Sequence, residues 1–225
     1  MNKKLLVFAA AVLGLASCNQ APEGELKLRK DNIDQIVKAL TLVEKCHLVI
    51  GHGQKDALDS ADMQTIGICK EIVPGCAGIS YPVERLGIPS VVLADGPAGL
   101  RIKPLRDGDE ETYYCTGFPI GTLLAASWDP SLAEQIGEAM GNEVLEYGVD
   151  VLLAPGANIH SNPLNGRNFE YFSEDPLLSG ITAAAVINGV QENGVGTSLK
   201  HFAANNSETN RLHVDSRISQ RALRE

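Results

Sequence analysis

The sequence predicts an α/β fold, part of a (β/α)8 TIM-type barrel, on three observations. Short apolar runs alternate with helical stretches, two helices open on Asp-Pro pairs, and polar residues cluster where the apolar runs end. Strand, loop, helix and strand repeating along one chain is the pattern of a parallel sheet with helices outside it.

Each element follows from its residues. Asp31 to Lys45 reads as a helix, with Ile33, Ile36, Val37, Leu40 and Val43 at helical spacing. Apolar runs then appear at His47 to Ile50, Ile88 to Ala94, Val149 to Leu153 and Gly196 to Leu199. Each is bounded by Gly, Pro or a polar cluster, as buried parallel strands tend to be. Asp129-Pro130 sets an N-cap carboxylate before a first-turn proline. It opens a helix over Ser131 to Tyr147 with Leu132, Ile136, Met140 and Leu145 inward. Asp175-Pro176 does the same for Leu177 to Asn193, with Leu178, Ile181, Ala185 and Val186 inward and Gly194 as the stop. Ser219 to Glu225 is helix-favouring and has no Gly or Pro stop, so the sequence is expected to end inside a helix. A closed barrel typically needs about 250 residues and eight such units. Fewer are readable here, and the barrel is expected to be incomplete.

The start of the chain has a different character. Lys3 and Lys4 precede an uncharged apolar run, Leu5 to Leu15, and small residues lead into Cys18. The run is shorter than the roughly 20 residues a membrane-crossing helix needs. Charge, short apolar run and small-residue junction together make a secretory signal. Leu15-Ala16-Ser17-Cys18 also looks like the bacterial lipoprotein cleavage box, in which Cys18 becomes the lipidated first residue. A plain signal peptide with a cysteine at its junction is the alternative. The expected organisation is a signal over 1–17, a tether over 18–30 and a barrel domain over 31–225.

Composition narrows the partners. A formal net charge of −9 argues against nucleic acid, because phosphate binding needs clustered Lys and Arg. Cys46, Cys69, Cys76 and Cys115 lack the dense spacing of a disulfide scaffold and form no C-x-x-C pair. They read as buried thiols, His160 reads as structural, and no metal ligand set is visible.

The polar residues fall where parallel (β/α) architectures build their sites, at the carboxyl ends of strands. Asp95 to Arg101 follows one apolar run. A loop with His160, Asn162, Asn165, Gly166, Arg167 and Asn168 follows the next, and Lys200-His201-Phe202 with Asn205-Asn206 follows the last. Singly, each has a plain structural reading: a turn-forming Asp, a solvated Arg, a paired Lys. Their coincidence on one face is what those readings do not explain. Sugar hydroxyls both donate and accept, so holding them takes an acceptor-only Asp and donor-only Lys and Arg. Ionised partners make those hydrogen bonds roughly twice as strong as neutral ones. The same set could grip a phosphate or carboxylate, except that Asp95 would repel an anion.

Longer motifs carry a family resemblance. They are "LTLVEKC" (at Leu42 to Lys45), "RLGIPSVVLADGPAGLR" (Arg85 to Arg101) and "FPIGTLLAASWD" (Phe118 to Asp129). "GNEVLEYGVDVLLAPGANIHSNPLNGRNFEYFSEDP" (Gly141 to Pro176) and "KHFAANNSETNR" (Lys200 to Arg211) complete the set. In this order they resemble glycoside hydrolase family 3, the β-glucosidase-type exo-acting glycosidases, over nearly the whole chain after the signal. The resemblance implies that the 31–225 segment is that family's N-terminal barrel domain. It implies that Asp95 of "DGP" binds hydroxyls of the non-reducing terminal sugar, with Arg101 beside it. Arg167 of "GRNFE" and Lys200 and His201 of "KHF" would hold the rest.

The family retains anomeric configuration with two carboxyl groups about 5–5.5 Å apart. Its nucleophile Asp sits in a Ser-Asp-Trp-like motif late in the barrel, and its acid/base usually comes from the following domain. Neither motif occurs here: Trp128 precedes Asp129 in "SWDP", and Asp95 matches the binding Asp. No catalytic residue is therefore expected in this chain, and both are expected beyond residue 225. The family's β-N-acetylglucosaminidases carry a "KHFPGHG"-type loop. Lys200 to Asn206 lacks its Pro and second His, which favours the glucosidase-like branch.

The expected function is an exo-acting retaining β-glycosidase that hydrolyses terminal non-reducing β-linked sugars from oligosaccharides, present here as an N-terminal fragment. The alternative is a lipid-anchored sugar-binding protein without catalysis. Expected partners are an oligosaccharide or β-glycoside and, through the Cys18 lipid, a membrane, at the periplasm or cell surface. No cofactor is implied.

Overall fold

A computed structural model describes residues 26–51 and 72–225. The signal, Cys18, part of the tether and Cys69 lie outside them. The chain divides into two units, Met1–Lys45 with Pro82–Pro89, and Cys46–Tyr81 with Ser90–Glu225.

The helix expected over Asp31 to Lys45 is two helices. α1 spans Ile33–Ala39 and α2 spans Leu42–Ile50. The break has a local cause in Thr41-x-x-Glu44. Thr41 N–H donates to Glu44 Oε2 at 2.8 Å, and Glu44 N–H donates to Thr41 Oγ1 at 3.2 Å. That reciprocal pair is a capping box, and it starts a new helix. Arg85 donates from Nε to Glu44 at 2.7 Å and from Nη2 to the Ala39 carbonyl at 2.9 Å, satisfying a group that α1 leaves open. The Arg85 bond, then the Thr41 amide, hold the Glu44 carboxyl down at about 2. Once nucleated, the helix runs through the segment expected to be a strand. His47 to Ile50 is helical, with the His47 and Tyr81 rings stacked at 4.6 Å.

The larger unit is the α/β body. β1 (Gly78–Ile79), β2 (Val92–Asp95), β3 (Val151–Leu153) and β4 (Gly196–Thr197) form a four-stranded sheet in chain order. β2, β3 and β4 are parallel, as the alternation predicts. β1 pairs antiparallel with β2, Ile79 opposite Val92, which makes the sheet mixed. Among the described residues the sheet is open, an α/β fold corresponding to part of a (β/α)8 barrel.

Between the strands lie α3 (Gly121–Ala126), α4 (Pro130–Glu146) and α5 (Pro176–Glu192), with α6 (Gln220–Arg224) near the end of the chain. The Asp-Pro starts act as the sequence indicates. Asp129 accepts from the amides of Ser131 and Leu132, and Asp175 from those of Leu177 and Leu178. The expected inward faces hold in part: Met140 of α4 and Ala185 and Val186 of α5 are buried, and Ile136 and Leu178 pack against the core. α4 buries Ala133, Gly137, Met140, Gly141 and Val144, while Leu132 and Leu145 are exposed. α5 buries Ser179, Thr182, Ala183, Ala185, Val186, Gly189 and Val190, while Ile181 is exposed. Small residues win because the two helices nearly touch. A methyl at Gly189 would lie 2.1 Å from the Glu134 carbonyl, and one at Gly137 2.4 Å from that of Val186. Sheet and helices close on Ala94, Leu152, Met140, Val144, Val149 and Val190. Among the described cysteines Cys76 is buried, as expected, while Cys115 is half-buried and Cys46 exposed.

Two substitutions on α5 should move stability in opposite directions. Gly189→Ala drives a methyl into backbone and should cost about 1–3 kcal/mol. Gly180→Ala meets nothing within 4 Å and should add about 0.5–1 kcal/mol by helix propensity. Urea midpoints of the two variants and the parent provide the check.

Candidate functional site

The site grows from the ends of the parallel strands. Asp95, the last residue of β2, lies opposite Leu153 of β3, and beyond β3 Gly156 bridges to Lys200. That register places the end of β2, the post-β3 loop and the end of β4 side by side. After Asp95 the chain turns back on itself, and the Arg101 amide donates to the Asp95 carbonyl at 2.9 Å. Gly99 makes the turn possible. Its φ is +115°, and a Cβ there would lie 2.1 Å from the Thr116 carbonyl.

Within this frame Asp95 is buried, 6% exposed, and each oxygen holds a cation. Lys200 Nζ lies 2.5 Å from Oδ1 and Arg101 Nη1 3.2 Å from Oδ2. The Lys200 side chain is 14% exposed and that of Arg101 68%, so one partner is largely enclosed and the other reaches into solvent.

Arg167 belongs to a second group of charges. Its loop is self-tied: Asn165 Nδ2 donates to Asn168 Oδ1 at 3.2 Å, and Asn168 Nδ2 to the Asn162 carbonyl at 2.8 Å. A 3-10 turn over Asn168–Glu170 follows. Thr122 of α3 fastens it, its hydroxyl lying 2.9 Å from the carbonyl oxygens of both Asn168 and Tyr171, which share its single hydrogen. Arg167 Nε donates to the buried Glu170, and Nη1 lies 3.7 Å from Glu208. Glu208 also pairs with Arg211 at 3.4 Å.

His201 joins the two groups. It follows Lys200 in the chain, and its Nδ1 lies 3.0 Å from the hydroxyl of the fully buried Tyr171. Burial first, then the charges of Arg167, Lys200 and Arg211, push the ring down to about 4, with Glu208 opposing. His201 is thus neutral at ordinary pH and stands among three cations. Lys200 and His201 also border a cavity of about 650 Å³ with largely apolar walls, including Ile159, Leu199 and Leu223. Asn158, buried at the same cavity, has an Nδ2 with no partner among the described residues.

Of the residues singled out in the sequence, Asp95, Arg101 and Lys200 are in direct contact. Arg167 and His201 are close enough to act on each other electrostatically. Cys18 lies outside the described residues. Asn205 was named in the strand-end cluster without a role; Glu170, Tyr171, Glu208 and Arg211 were not singled out, and the structure adds all five to this network. The spacings Arg167-x-x-Glu170 and Glu208-x-x-Arg211 were the available signals, since oppositely charged residues three apart can pair on one turn. Among the described residues no group of three or more His, Cys, Asp or Glu is placed to hold a metal ion.

Residues 80–225 match the glycosyl hydrolase family 3 N-terminal domain. The chain belongs to this family. It is 51% identical over 158 residues to thermostable β-glucosidase B of Acetivibrio thermocellus, covering 67% of this chain and 21% of that protein. It is 55% identical over 148 residues to an exo-α-(1→6)-L-arabinopyranosidase of Bifidobacterium longum, covering 64% of this chain and 19% of that one. Among solved structures, β-glucosidase 3B from Thermotoga neapolitana in complex with α-D-glucose superposes with a TM-score of 0.71 at 53% identity. That match covers 80% of this chain and 24% of the other. The chain therefore spans only a small part of the length of these relatives.

The neutral His201 has a measurable consequence. A free histidine titrates near 6.5, so from there down to about 4 the unfolded chain binds the proton and the folded chain does not. Stability contributed by the neutral ring is present above that window and is lost as the pH falls through it. Urea midpoints between pH 7 and pH 4 should fall more steeply for the parent than for His201→Gln. Equal slopes would mean the ring titrates normally.

Proposed function

We propose that this chain supplies the substrate-gripping part of an exo-acting retaining β-glycosidase of glucosidase type. Its substrates would be terminal non-reducing β-linked sugars of oligosaccharides. The observation that carries the reading is Asp95, enclosed at a strand end with Lys200 on one oxygen and Arg101 on the other. A carboxylate has about four lone-pair sites, an ammonium three donors and a guanidinium five. Each group therefore has bonding capacity left after pairing with the others. Adjacent sugar hydroxyls can donate to Asp95 while accepting from Lys200 or Arg101, so the cluster suits a polyol and disfavours an anion. Arg167 and His201 extend the grip, and no cofactor is required.

The cleaving groups in this reading are a nucleophile Asp and an acid/base contributed by polypeptide beyond residue 225. The small share of each relative that the chain spans supports it. The test is to express the longer polypeptide that carries this sequence and follow hydrolysis of an aryl β-D-glucoside, with an aryl α-L-arabinopyranoside in parallel. Hydrolysis with retention is expected from the longer polypeptide, and none from the 225-residue chain alone. Asp95→Asn should lower kcat/KM on the order of 10²-fold, the size of losing charge-assisted hydrogen bonds. Glucose binding by the longer polypeptide without hydrolysis would favour a lipid-anchored sugar-binding protein instead.

We further propose export under a signal over 1–17 and anchoring through a lipid on Cys18, with residues up to 30 as a tether to the barrel domain. No helix among the described residues is long and apolar enough to cross a membrane, and this proposal does not need one. Cys18→Ala should abolish incorporation of labelled fatty acid and move the protein from the membrane to the soluble fraction. Membrane retention by that variant would sink the anchor.

A further inference from the structure

Tyr171 is fully buried, yet its hydroxyl makes two polar contacts. It lies 3.0 Å from His201 Nδ1 and accepts from Asn205 Nδ2 at 3.1 Å. The second hydrogen of that amide goes to Glu208 Oε1 at 2.7 Å. A carboxylate can only accept, so Glu208 fixes which end of Asn205 is the NH2 group. Both amide hydrogens are then committed. The phenol oxygen receives one of them, and His201 Nδ1 is the contact left to take its own single hydrogen. A neutral imidazole carries one N–H, and an accepting Nδ1 leaves that proton on Nε2.

Asn205 is itself held in place. Asn158 Oδ1 accepts from the backbone amides of Ala204 and Asn205, each at 3.1 Å. Glu208 is fixed between Arg167 and Arg211. Burial, with Arg167, Lys200 and Arg211 around the ring, keeps His201 neutral, so tautomer rather than charge defines it.

We infer that Tyr171 and Asn205 are positioning residues: a relay from Glu208 through Asn205 and Tyr171 locks His201 as the Nε2–H tautomer, so the ring offers its ligand a donor. This rests on the proposed reading of His201 as a sugar contact and adds a directional rule to it. The hydroxyl that meets His201 accepts there, which frees its own hydrogen for a carboxylate or carbonyl elsewhere.

The test is long-range 15N–1H correlation spectroscopy at pH 7 on the chain with 15N-labelled histidine rings, His201 being assigned by its loss in His201→Gln. The expected spectrum has the His201 proton on Nε2 and an unprotonated Nδ1. Tyr171→Phe keeps the buried ring and should reduce the Nε2–H population. In the longer polypeptide it should raise KM for an aryl β-glucoside about tenfold, the size of one hydrogen bond, with kcat changed much less. A parent His201 protonated on Nδ1, or a tautomer unchanged in both Tyr171→Phe and Asn205→Ala, overturns the relay. Glucose that leaves the His201 signals unmoved, with the Nε2–H tautomer present, overturns the sugar contact and leaves the relay standing.

Discussion

The contact between Asp95 and Lys200 closes the site, and much of the surrounding structure is arranged to make it tolerable. Taking a carboxylate and an ammonium out of water costs several kcal/mol per ion unless geometry and further hydrogen bonds return it. The sequence meets that demand with two cations on one carboxylate. Arg101 comes from the turn that Asp95 itself begins, and Lys200 comes from the end of another strand. β3 lies between those strands and fixes their separation through its register with both. The carboxylate is therefore oriented before any ligand arrives, which removes an ordering cost from binding.

The second group follows a related logic with more partners. Glu170 is buried and receives Arg167, while Glu208 sits between Arg167 and Arg211 and also accepts from Asn205. Acceptor-only and donor-only groups alternate along this path, which leaves little freedom in where its protons reside. Lys200 and His201, adjacent in sequence, place the two groups on one stretch of backbone.

What could be read from the sequence is what local chemistry determines. Asp129-Pro130 and Asp175-Pro176 announce helix starts because cap and proline act on their own turn. Asp95 and Lys200 were legible because apolar runs end just before them and parallel strands deliver their carboxyl ends together. Other features depended on competition between levels. His47 to Ile50 has the composition of a strand, but the Thr41–Glu44 box upstream commits it to helix. Leu132, Leu145 and Ile181 looked like core residues, but the close helix pair turns its glycines, Gly137, Gly141 and Gly189, to the contact and leaves those larger side chains outside. The antiparallel β1 is too short to carry a periodic signal. Tyr171 resembled an ordinary loop residue, and Asn205 was visible only as one polar residue of the strand-end cluster, because their importance lies in proton placement, which no spacing encodes.

The Asp95–Lys200 contact also bears on the order in which the chain can fold. Its partners are 105 residues apart in sequence, and the intervening chain contains α3, α4, β3 and α5. Closing so long a loop is slow and costly in entropy until the intervening contacts shorten it. During synthesis Asp95 emerges long before its ammonium partner and must stay hydrated, or lean on Arg101 alone, until the helices and β3 have docked. The strand-end cluster is therefore among the last features to assemble, and the affinity of any ligand it holds would report that the whole α/β succession has reached its register.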